Sequence, residues 1–136
     1  MRRLMFPATP RFPATRMFAP ALIFTATLFC AACGQDQRDR QASRHRDMHE
    51  ARALIAANCA ACHRIPGIAR ANGRVGPSLD GISRQQIIAG HFAISPDTMT
   101  QWIEHPQQLL PGDAMPETGL NHEQVTKIVD YLYTME

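Results

Sequence analysis

The sequence predicts an all-α fold for the last 90 residues of a 136-residue chain. Near the C-terminus, apolar residues recur at positions i, i+3, i+4 and i+7, the spacing that forms one face of a helix; they are Val125, Ile128, Val129 and Leu132. Residue types that begin helices occur at several places in the chain. No run of residues alternates between apolar and polar as in a half-buried strand. A single small domain is therefore expected.

The first expected helix begins at Asp47. Asp47 and Glu50, three residues apart, resemble a capping box, and the helix is predicted to run from there to Cys59. Its inward-facing residues are expected to be Ala51, Leu54 and Ile55. The segment Ile65-Pro66-Gly67 then excludes a regular helix, because proline and glycine both interrupt one.

Three further helices are predicted after residue 82. Ser83 with Gln86 indicates a short helix, Ser95-Pro96 combines an N-cap with proline at the first helical position, and Asn121 begins the last helix with Gln124 three residues later. The first would carry Ile87 and Ile88 up to Gly90, the second Met99, Trp102 and Ile103 up to Pro106. The prediction is thus three to four helices.

Cys59-Ala60-Ala61-Cys62-His63 forms a C-x-x-C-H pentapeptide, the pattern of a covalent c-type haem attachment site. On one helical turn, thiols three residues apart can each reach one vinyl group of a porphyrin, and the next residue can present its imidazole to the iron. A C-x-x-C pair also occurs in zinc sites and in thioredoxin-like redox proteins. No second ligand pair with zinc spacing and no alternation of strands and helices follows His63. We therefore predict one covalent haem c, which would also complete a core that is marginal in so small a domain.

The first 32 residues are expected to form a signal peptide. Four arginines, Arg2, Arg3, Arg11 and Arg16, precede an apolar run over residues 19–32. That run is roughly 14 residues long, too short to cross a bilayer of about 30 Å but typical of a signal peptide. The alternatives are an uncleaved anchor and a true start at Met5 or Met17.

Leu28-Phe29-Cys30-Ala31-Ala32-Cys33-Gly34 resembles a bacterial lipobox in which Cys33 is lipidated after cleavage. Cys30 stands where leucine is usual, and the alternative is ordinary cleavage that leaves an unpaired thiol. Residues 34–46 lack apolar periodicity, so residues 33–46 are expected to be a lipidated cysteine and a flexible tether. The protein would then be lipid-anchored at the periplasmic face of a bacterial membrane, with a soluble periplasmic protein as the alternative.

The charge of the mature chain excludes a nucleic-acid-binding function. The full chain carries 14 basic and 12 acidic residues, but four arginines leave with the signal peptide, so ten basic residues face twelve acidic ones. Residues 34–74 hold eight basic and four acidic residues, whereas residues 75–136 hold two and eight. The expected protein is slightly acidic and carries a charge dipole.

Residues 47–135 resemble a class I cytochrome c, a soluble monohaem electron carrier domain. Besides the pentapeptide, residues 76–81 (Gly-Pro-Ser-Leu-Asp-Gly) are similar to the family's Gly-Pro-x-Leu-x-Gly segment. Residues 102–106 and 110–116 resemble the segment that carries the second axial ligand. The resemblance implies a cytochrome c fold of residues 47–136 in which the first and last helices cross. The residues that match this crossing are Ala51, Ile55, Ile128 and Tyr131.

The resemblance also implies the roles of individual residues. The carbonyl of Pro77 would accept a hydrogen bond from the ligating His63, which fixes the tautomer of the imidazole. Met115 would be the sixth ligand of the iron, and Trp102 would line the haem near the methionine sulfur. The implied function is one-electron transfer by Fe(II)/Fe(III) cycling, without a catalytic residue or a small-molecule substrate. The implied partners are membrane redox complexes: a quinol-oxidising complex, a terminal oxidase or a dehydrogenase.

Other residues could in principle ligate the iron opposite His63. His91 is the main rival of Met115 because we expect it in a loop; His105 and His122 are expected at helix ends, and Met48, Met99 and Met135 in packing or at the surface. Met115 is favoured because prolines on either side restrict its loop. If Met115 were displaceable, the protein could instead bind small ligands or react with peroxide. A detachable haem subunit of a larger enzyme is a third possibility.

Overall fold

The computed structural model describes residues 21–135, with side chains described from Gly34 onward. The elements are α1 (Ala21–Asn58), a 3-10 turn (Ile82–Arg84), β1 (Ile87–Ile88), β2 (Phe92–Ala93), α2 (Pro96–Glu104), α3 (Pro106–Leu109) and α4 (His122–Tyr133). Within the described residues, the chain divides into two compact units, one up to Arg38 and one from Asp39 onward. The second is mostly helical, which confirms the all-α prediction and a small cytochrome c-like architecture. Within residues 21–135, no helix is long and apolar enough to cross a membrane.

The first helix is longer than the sequence led us to expect. It is already formed at Ala21, so the prediction that a helix begins at Asp47 is wrong, and residues 34–46 are helical where a flexible tether was expected. These residues are rich in Arg and Gln, which favour helix. Nearly all of their side chains are exposed, so this part of the helix needs no apolar face. The four n-region arginines lie outside the described residues, and the signal peptide and the lipidation of Cys33 stay predictions.

Helices α2 and α4 begin where the sequence predicted. The Ser95 hydroxyl accepts a hydrogen bond from the backbone N–H of Thr98 at 3.0 Å, and proline follows it at the first helical position. Asn121 and Gln124 form a complete capping box, in which each side chain accepts a hydrogen bond from the other residue's backbone N–H. The predicted apolar residues of both helices are buried: Met99, Trp102, Ile103, Val125, Ile128, Val129 and Leu132.

The helix predicted from Ser83 is wrong, because residues 87–93 form a short β-hairpin. Ile87 pairs with Ala93, and Ile88 pairs with Phe92. The turn has positive φ angles at Ala89 (52°) and Gly90 (73°), and two consecutive positive φ angles are what a type I′ hairpin turn requires. Gly90 adopts this conformation freely and Ala89 at a cost of about 1 kcal/mol. β-branched Ile87 and Ile88 favour a strand, and a pair so short shows no alternation in the sequence.

Side chains of α1 and α4 interact directly. Arg52 donates from Nη1 to the Tyr131 hydroxyl at 2.9 Å, and its guanidinium lies 5.8 Å from the centroid of that ring. Lys127 contacts Glu50 at 2.9 Å and Glu123 at 2.8 Å. The hydrogen bond from Lys127 holds the pKa of the Glu123 carboxyl below its usual value. Ala51 and Ile55 of α1 are fully buried in the same core as Ile128 and Tyr131 of α4.

Candidate functional site

A cavity of about 590 Å³ lies in the second compact unit, within the size range of cofactor sites. All six residues that the sequence predicted to hold a cofactor line it: Cys59, Cys62, His63, Pro77, Trp102 and Met115. They come from separate stretches of the chain, which the fold brings to one place. Apolar residues of α1, α2 and α4 complete the walls, among them Ile55, Met99, Ile103, Ile128 and Leu132. An apolar cavity with a few convergent donor groups is typical of a buried cofactor site.

The two cysteines lie on a turn that directly follows α1. The backbone N–H groups of Cys62 and His63 both donate to the Cys59 carbonyl, at 3.1 and 2.9 Å, so the turn continues the helical path of the chain. Both thiols are free and half-buried. Burial raises the pKa of the Cys59 thiol to about 11, and the neighbouring Cys62 adds to the shift. Within residues 34–135, no group of three His, Cys, Asp or Glu side chains is arranged to hold a metal ion, whereas a structural zinc site needs four ligands.

His63 is held in one orientation by the loop that follows the turn. Its Nδ1 lies 2.7 Å from the carbonyl oxygen of Pro77, the contact that the sequence led us to expect. A carbonyl can only accept, so Nδ1 carries the proton and Nε2 keeps the lone pair with which it can bind a metal. The loop itself is fixed by backbone hydrogen bonds from Gly76 N–H to the Cys62 carbonyl (2.9 Å) and from Leu79 N–H to the Arg64 carbonyl (3.0 Å).

Gly76 allows the loop to approach the imidazole closely. A Cβ atom at this position would lie 2.4 Å from Cε1 and 2.7 Å from Nδ1 of His63, far inside van der Waals contact. The backbone can reach this close to the ring only without a side chain. The sequence identified the Gly-Pro segment through Pro77, but the steric role of Gly76 becomes visible only with the ring in place.

Met115 lies on the loop between α3 and α4 and is half-buried at the cavity wall. Its backbone N–H donates to Oδ1 of Asp113 at 2.9 Å. The Gln107 side chain donates to the carbonyl oxygens of both Asp113 (2.8 Å) and Met115 (2.7 Å). Sequence reasoning missed Gln107, because nothing in a polar residue after Pro106 indicates which carbonyls it will reach. In the sequence, only the prolines on either side of Met115 indicated that its loop is restricted.

Trp102 lines the cavity from α2 and is 7% exposed. The centroid of the Phe92 ring, in the hairpin, lies 6.2 Å from the centroid of the Trp102 ring, and the two ring planes are inclined at 41°. Aromatic pairs prefer such tilted arrangements. Phe92 was also missed, since its strand was not predicted. Phe92 thus supports Trp102 on the side of the hairpin.

The rival ligands lie elsewhere, with one exception. His91 is exposed in the hairpin turn, and the side chains of His105 and His122 are 55% and 78% exposed; none of the three lines the cavity. Met99, in contrast, lines the cavity from α2 and is almost completely buried. Two thioethers therefore reach the cavity, one on a helix and one on a loop.

The comparison with known families agrees with this geometry. The cytochrome c family matches residues 48–136, which is about two thirds of the chain. The chain belongs to the cytochrome c family. A cytochrome c domain carries haem c and functions in haem-based electron transfer, and Cys59 and Cys62 are present in the matched part of this chain. No solved structure matches the chain.

One relative is subunit 2 of cytochrome c oxidase from Alkalihalophilus pseudofirmus. It is 26% identical over 80 residues, a segment that covers 58% of this chain and 22% of the relative. The chain thus spans about a fifth of that relative's length. The similarity is to one part of an oxidase subunit and fits a respiratory context for this cytochrome c domain.

The residues at the cavity fit a haem. Cys59 and Cys62 provide two adjacent unpaired thiols, His63 a nitrogen with its lone pair available, and Met115 a sulfur on a constrained loop. In c-type cytochromes such thiols attach the porphyrin covalently, and a histidine nitrogen and a methionine sulfur are the ligands of the iron. The apolar walls of the cavity match the faces of a porphyrin, and no buried side-chain polar atom of residues 34–135 lacks a hydrogen-bond partner. Nothing in the described wall opposes the burial of an apolar group.

Proposed function

We propose that this protein is a monohaem c-type cytochrome that carries one electron at a time. One haem would be bound covalently through Cys59 and Cys62, with His63 and Met115 as the axial ligands. The observation that supports the proposal best is a cavity that gathers two thiols, one correctly protonated imidazole and one loop-borne thioether. The bound haem would supply the Fe(II)/Fe(III) couple.

The protein's own residues would set the properties of that couple. The Pro77 carbonyl orients His63 and increases the electron donation of its imidazole. A thioether ligand from Met115 stabilises the reduced ion and raises the potential. Apolar walls formed by Trp102 and Ile128 exclude water, which disfavours the ion with the higher charge. If His63 and Met115 both bound the iron, no position would be left for a substrate, and the protein would not be an enzyme.

Respiratory complexes are the proposed partners. The similarity to a segment of an oxidase subunit favours a terminal oxidase as the acceptor, and a quinol-oxidising complex or a dehydrogenase would be the donor. Purification of the protein from membranes, with identification of the partner that accompanies it, tests this part of the proposal. The recovered complex should oxidise the reduced protein in a rapid-mixing experiment; recovery of an unrelated enzyme that does not exchange electrons with it would contradict the proposal.

The cavity rim suggests how a redox partner would dock. Val75 and Ile87 both line the cavity, and they are 73% and 57% exposed. Lys127 is the only lysine of the chain, and it is engaged by Glu50 and Glu123. A ring of lysines around the cavity is therefore ruled out. We propose an apolar contact with little electrostatic steering.

We expect the rate constant of electron transfer between the protein and its partner to vary by less than about threefold between low and moderate salt, since steered associations change by about 10-fold or more. Ile87→Asp should slow the reaction by placing a charge in an apolar contact, whereas Gln86→Asp, at an exposed neighbour, should leave the rate nearly unchanged. A rate that rises steeply at low salt with an acidic partner would contradict the apolar contact.

We further propose that the mature protein is anchored through lipid on Cys33 at the periplasmic face of a bacterial membrane. Cys33→Ser should release the protein into the soluble periplasmic fraction or leave it uncleaved, with haem still attached, because residues 47–136 do not depend on the anchor. The measurement is the incorporation of labelled fatty acid together with membrane fractionation. A wild-type protein that never incorporates the label contradicts the lipid anchor.

A further inference from the structure

The loop that carries Met115 contains no regular secondary structure of its own. Residues 110–121 connect α3 to α4 without a helix or a strand. Such a segment has few backbone hydrogen bonds to hold its carbonyl and N–H groups in place, so the position of the Met115 sulfur depends on side chains that contact the loop. Backbone hydrogen bonds therefore hold Met115 less firmly than His63, the other predicted ligand of the iron.

Gln107 provides that support from α3. Its Nε2 donates to the carbonyls of Asp113 (2.8 Å) and Met115 (2.7 Å), while its Oε1 accepts from the backbone N–H of Gly112 at 3.0 Å. One amide side chain thus forms hydrogen bonds to three backbone groups within residues 112–115, using both of its N–H donors and its carbonyl acceptor. Its own backbone N–H donates to the Glu117 carboxylate at 3.2 Å, beyond Met115 in the sequence.

The start of α3, from which Gln107 extends, is packed into the protein. Pro106 is buried at the start of α3, and the Gln107 side chain is half-buried. Its neighbour Gln108 is exposed, and its side chain makes no hydrogen bond to any residue in the part of the chain that the structure describes. The two glutamines differ only in where the short helix places them, so they form a natural matched pair.

We propose that Gln107 is a positioning residue that holds the Met115 loop against the iron by bridging the Gly112 N–H and the Asp113 and Met115 carbonyls. This inference rests on the proposed ligation by Met115. Gln107 does not line the cavity, so it would act on the iron only through Met115, by shortening the time for which the Met115 sulfur is away from its ligating position. The exchange of Met115 for an external ligand should therefore be slow in the wild type and faster without Gln107.

The test compares Gln107→Met with Gln108→Met in the ferric holoprotein. Methionine preserves the length of the side chain and removes its hydrogen bonds. We expect imidazole, added as an external ligand, to bind about tenfold faster or more to Gln107→Met than to wild type, because all three hydrogen bonds from the side chain to the loop backbone are lost. The long-wavelength band of sulfur-ligated haem should also disappear at a lower temperature than in the wild type. Gln108→Met should match the wild type in both measurements.

A second variant, Gln107→Glu, tests the hydrogen bonds within one folded protein. The carboxylate would face the Asp113 and Met115 carbonyls without a proton to donate, so the sulfur band should be weak at neutral pH. Protonation at acidic pH, toward or below about 5, gives the side chain an O–H donor, and the band should then strengthen. Gln107→Met cannot recover in this way and should not gain intensity on acidification.

The outcomes separate this inference from the proposed function. If the wild type lacks a sulfur band altogether, ligation by Met115 is wrong, and the proposed role of Gln107 is wrong as well. If the wild type has the band, but imidazole binds to Gln107→Met at the wild-type rate and acidification leaves Gln107→Glu unchanged, Met115 ligates the iron and Gln107 does not position it.

Discussion

Replacement of Met115 by alanine is expected to abolish the weak long-wavelength absorption of the ferric protein and to lower its reduction potential. If Met115 ligates the iron as we propose, the sulfur that favours the reduced ion would be gone, and its coordination position would be open. Cyanide or carbon monoxide should then bind rapidly, to ferric and ferrous protein respectively. The fold should remain, because Met115 is half-buried on a loop and lies outside the fully buried core.

Two control variants make the Met115 result specific. Met99→Leu changes the other methionine that lines the cavity and should cost less than about 1.5 kcal/mol, as a volume-conserving core substitution does, with the sulfur band retained. His91→Ala removes an exposed histidine and should leave the spectrum unchanged. If His91→Ala loses the low-spin spectrum while Met115→Ala keeps it, the iron has two histidine ligands and the assignment is wrong. Loss of the sulfur band in Met99→Leu alone would show that Met99 of α2, and not Met115, is the sulfur ligand.

Gly76→Ala is expected to damage the site although it adds only one methyl group. The new Cβ would lie 2.4 Å from Cε1 of His63, so either the imidazole or the loop must move. Movement of the ring would break the hydrogen bond between His63 and the Pro77 carbonyl and misplace the imidazole that we propose as an iron ligand. Overpacking of this kind costs about 1–3 kcal/mol, and we expect that loss in the free energy of unfolding, together with a lower yield of haem-containing protein.

Val75→Ala is the matched control for Gly76→Ala, since it alters the adjacent residue of the same loop. The Val75 side chain is 73% exposed, so its truncation should change the free energy of unfolding by less than about 0.5 kcal/mol. Haem staining after denaturing electrophoresis and thermal unfolding followed by circular dichroism provide the measurements. Gly76→Ala protein with wild-type haem content and thermal midpoint would show that the loop has space for a side chain at this position.

Much of the fold could be predicted because local signals decided it. The caps at Ser95 and Asn121 and the apolar face of α4 depend on residues close together in the sequence, and the structure confirmed them. The hairpin at residues 87–93 depends on two positive φ angles and a pairing of two residues on each side, too short for a periodic pattern. The tether predicted at residues 34–46 is wrong because a lack of apolar periodicity does not exclude a helix: an exposed helix needs no apolar face.

The residues of the candidate site also divide into those that could be recognised from the sequence and those that could not. Cys59, Cys62 and His63 lie within five consecutive residues, so their chemistry could be recognised from the sequence; the resemblance to cytochrome c then located Pro77, Trp102 and Met115. Gln107 and Gly76 could not be found in that way. Their roles depend on distances to backbone or ring atoms of other segments. A glutamine or a glycine in the sequence does not indicate that such a contact exists.

An optical redox titration of the purified wild-type protein tests the central claim most directly. We expect one covalently bound haem per chain and a single reversible one-electron transition at the high potential typical of His/Met ligation. The sulfur band should be present in the oxidised protein and disappear on reduction. A chain that binds no haem, or a haem protein of low potential that lacks the sulfur band, would contradict electron transfer through a site formed by His63 and Met115.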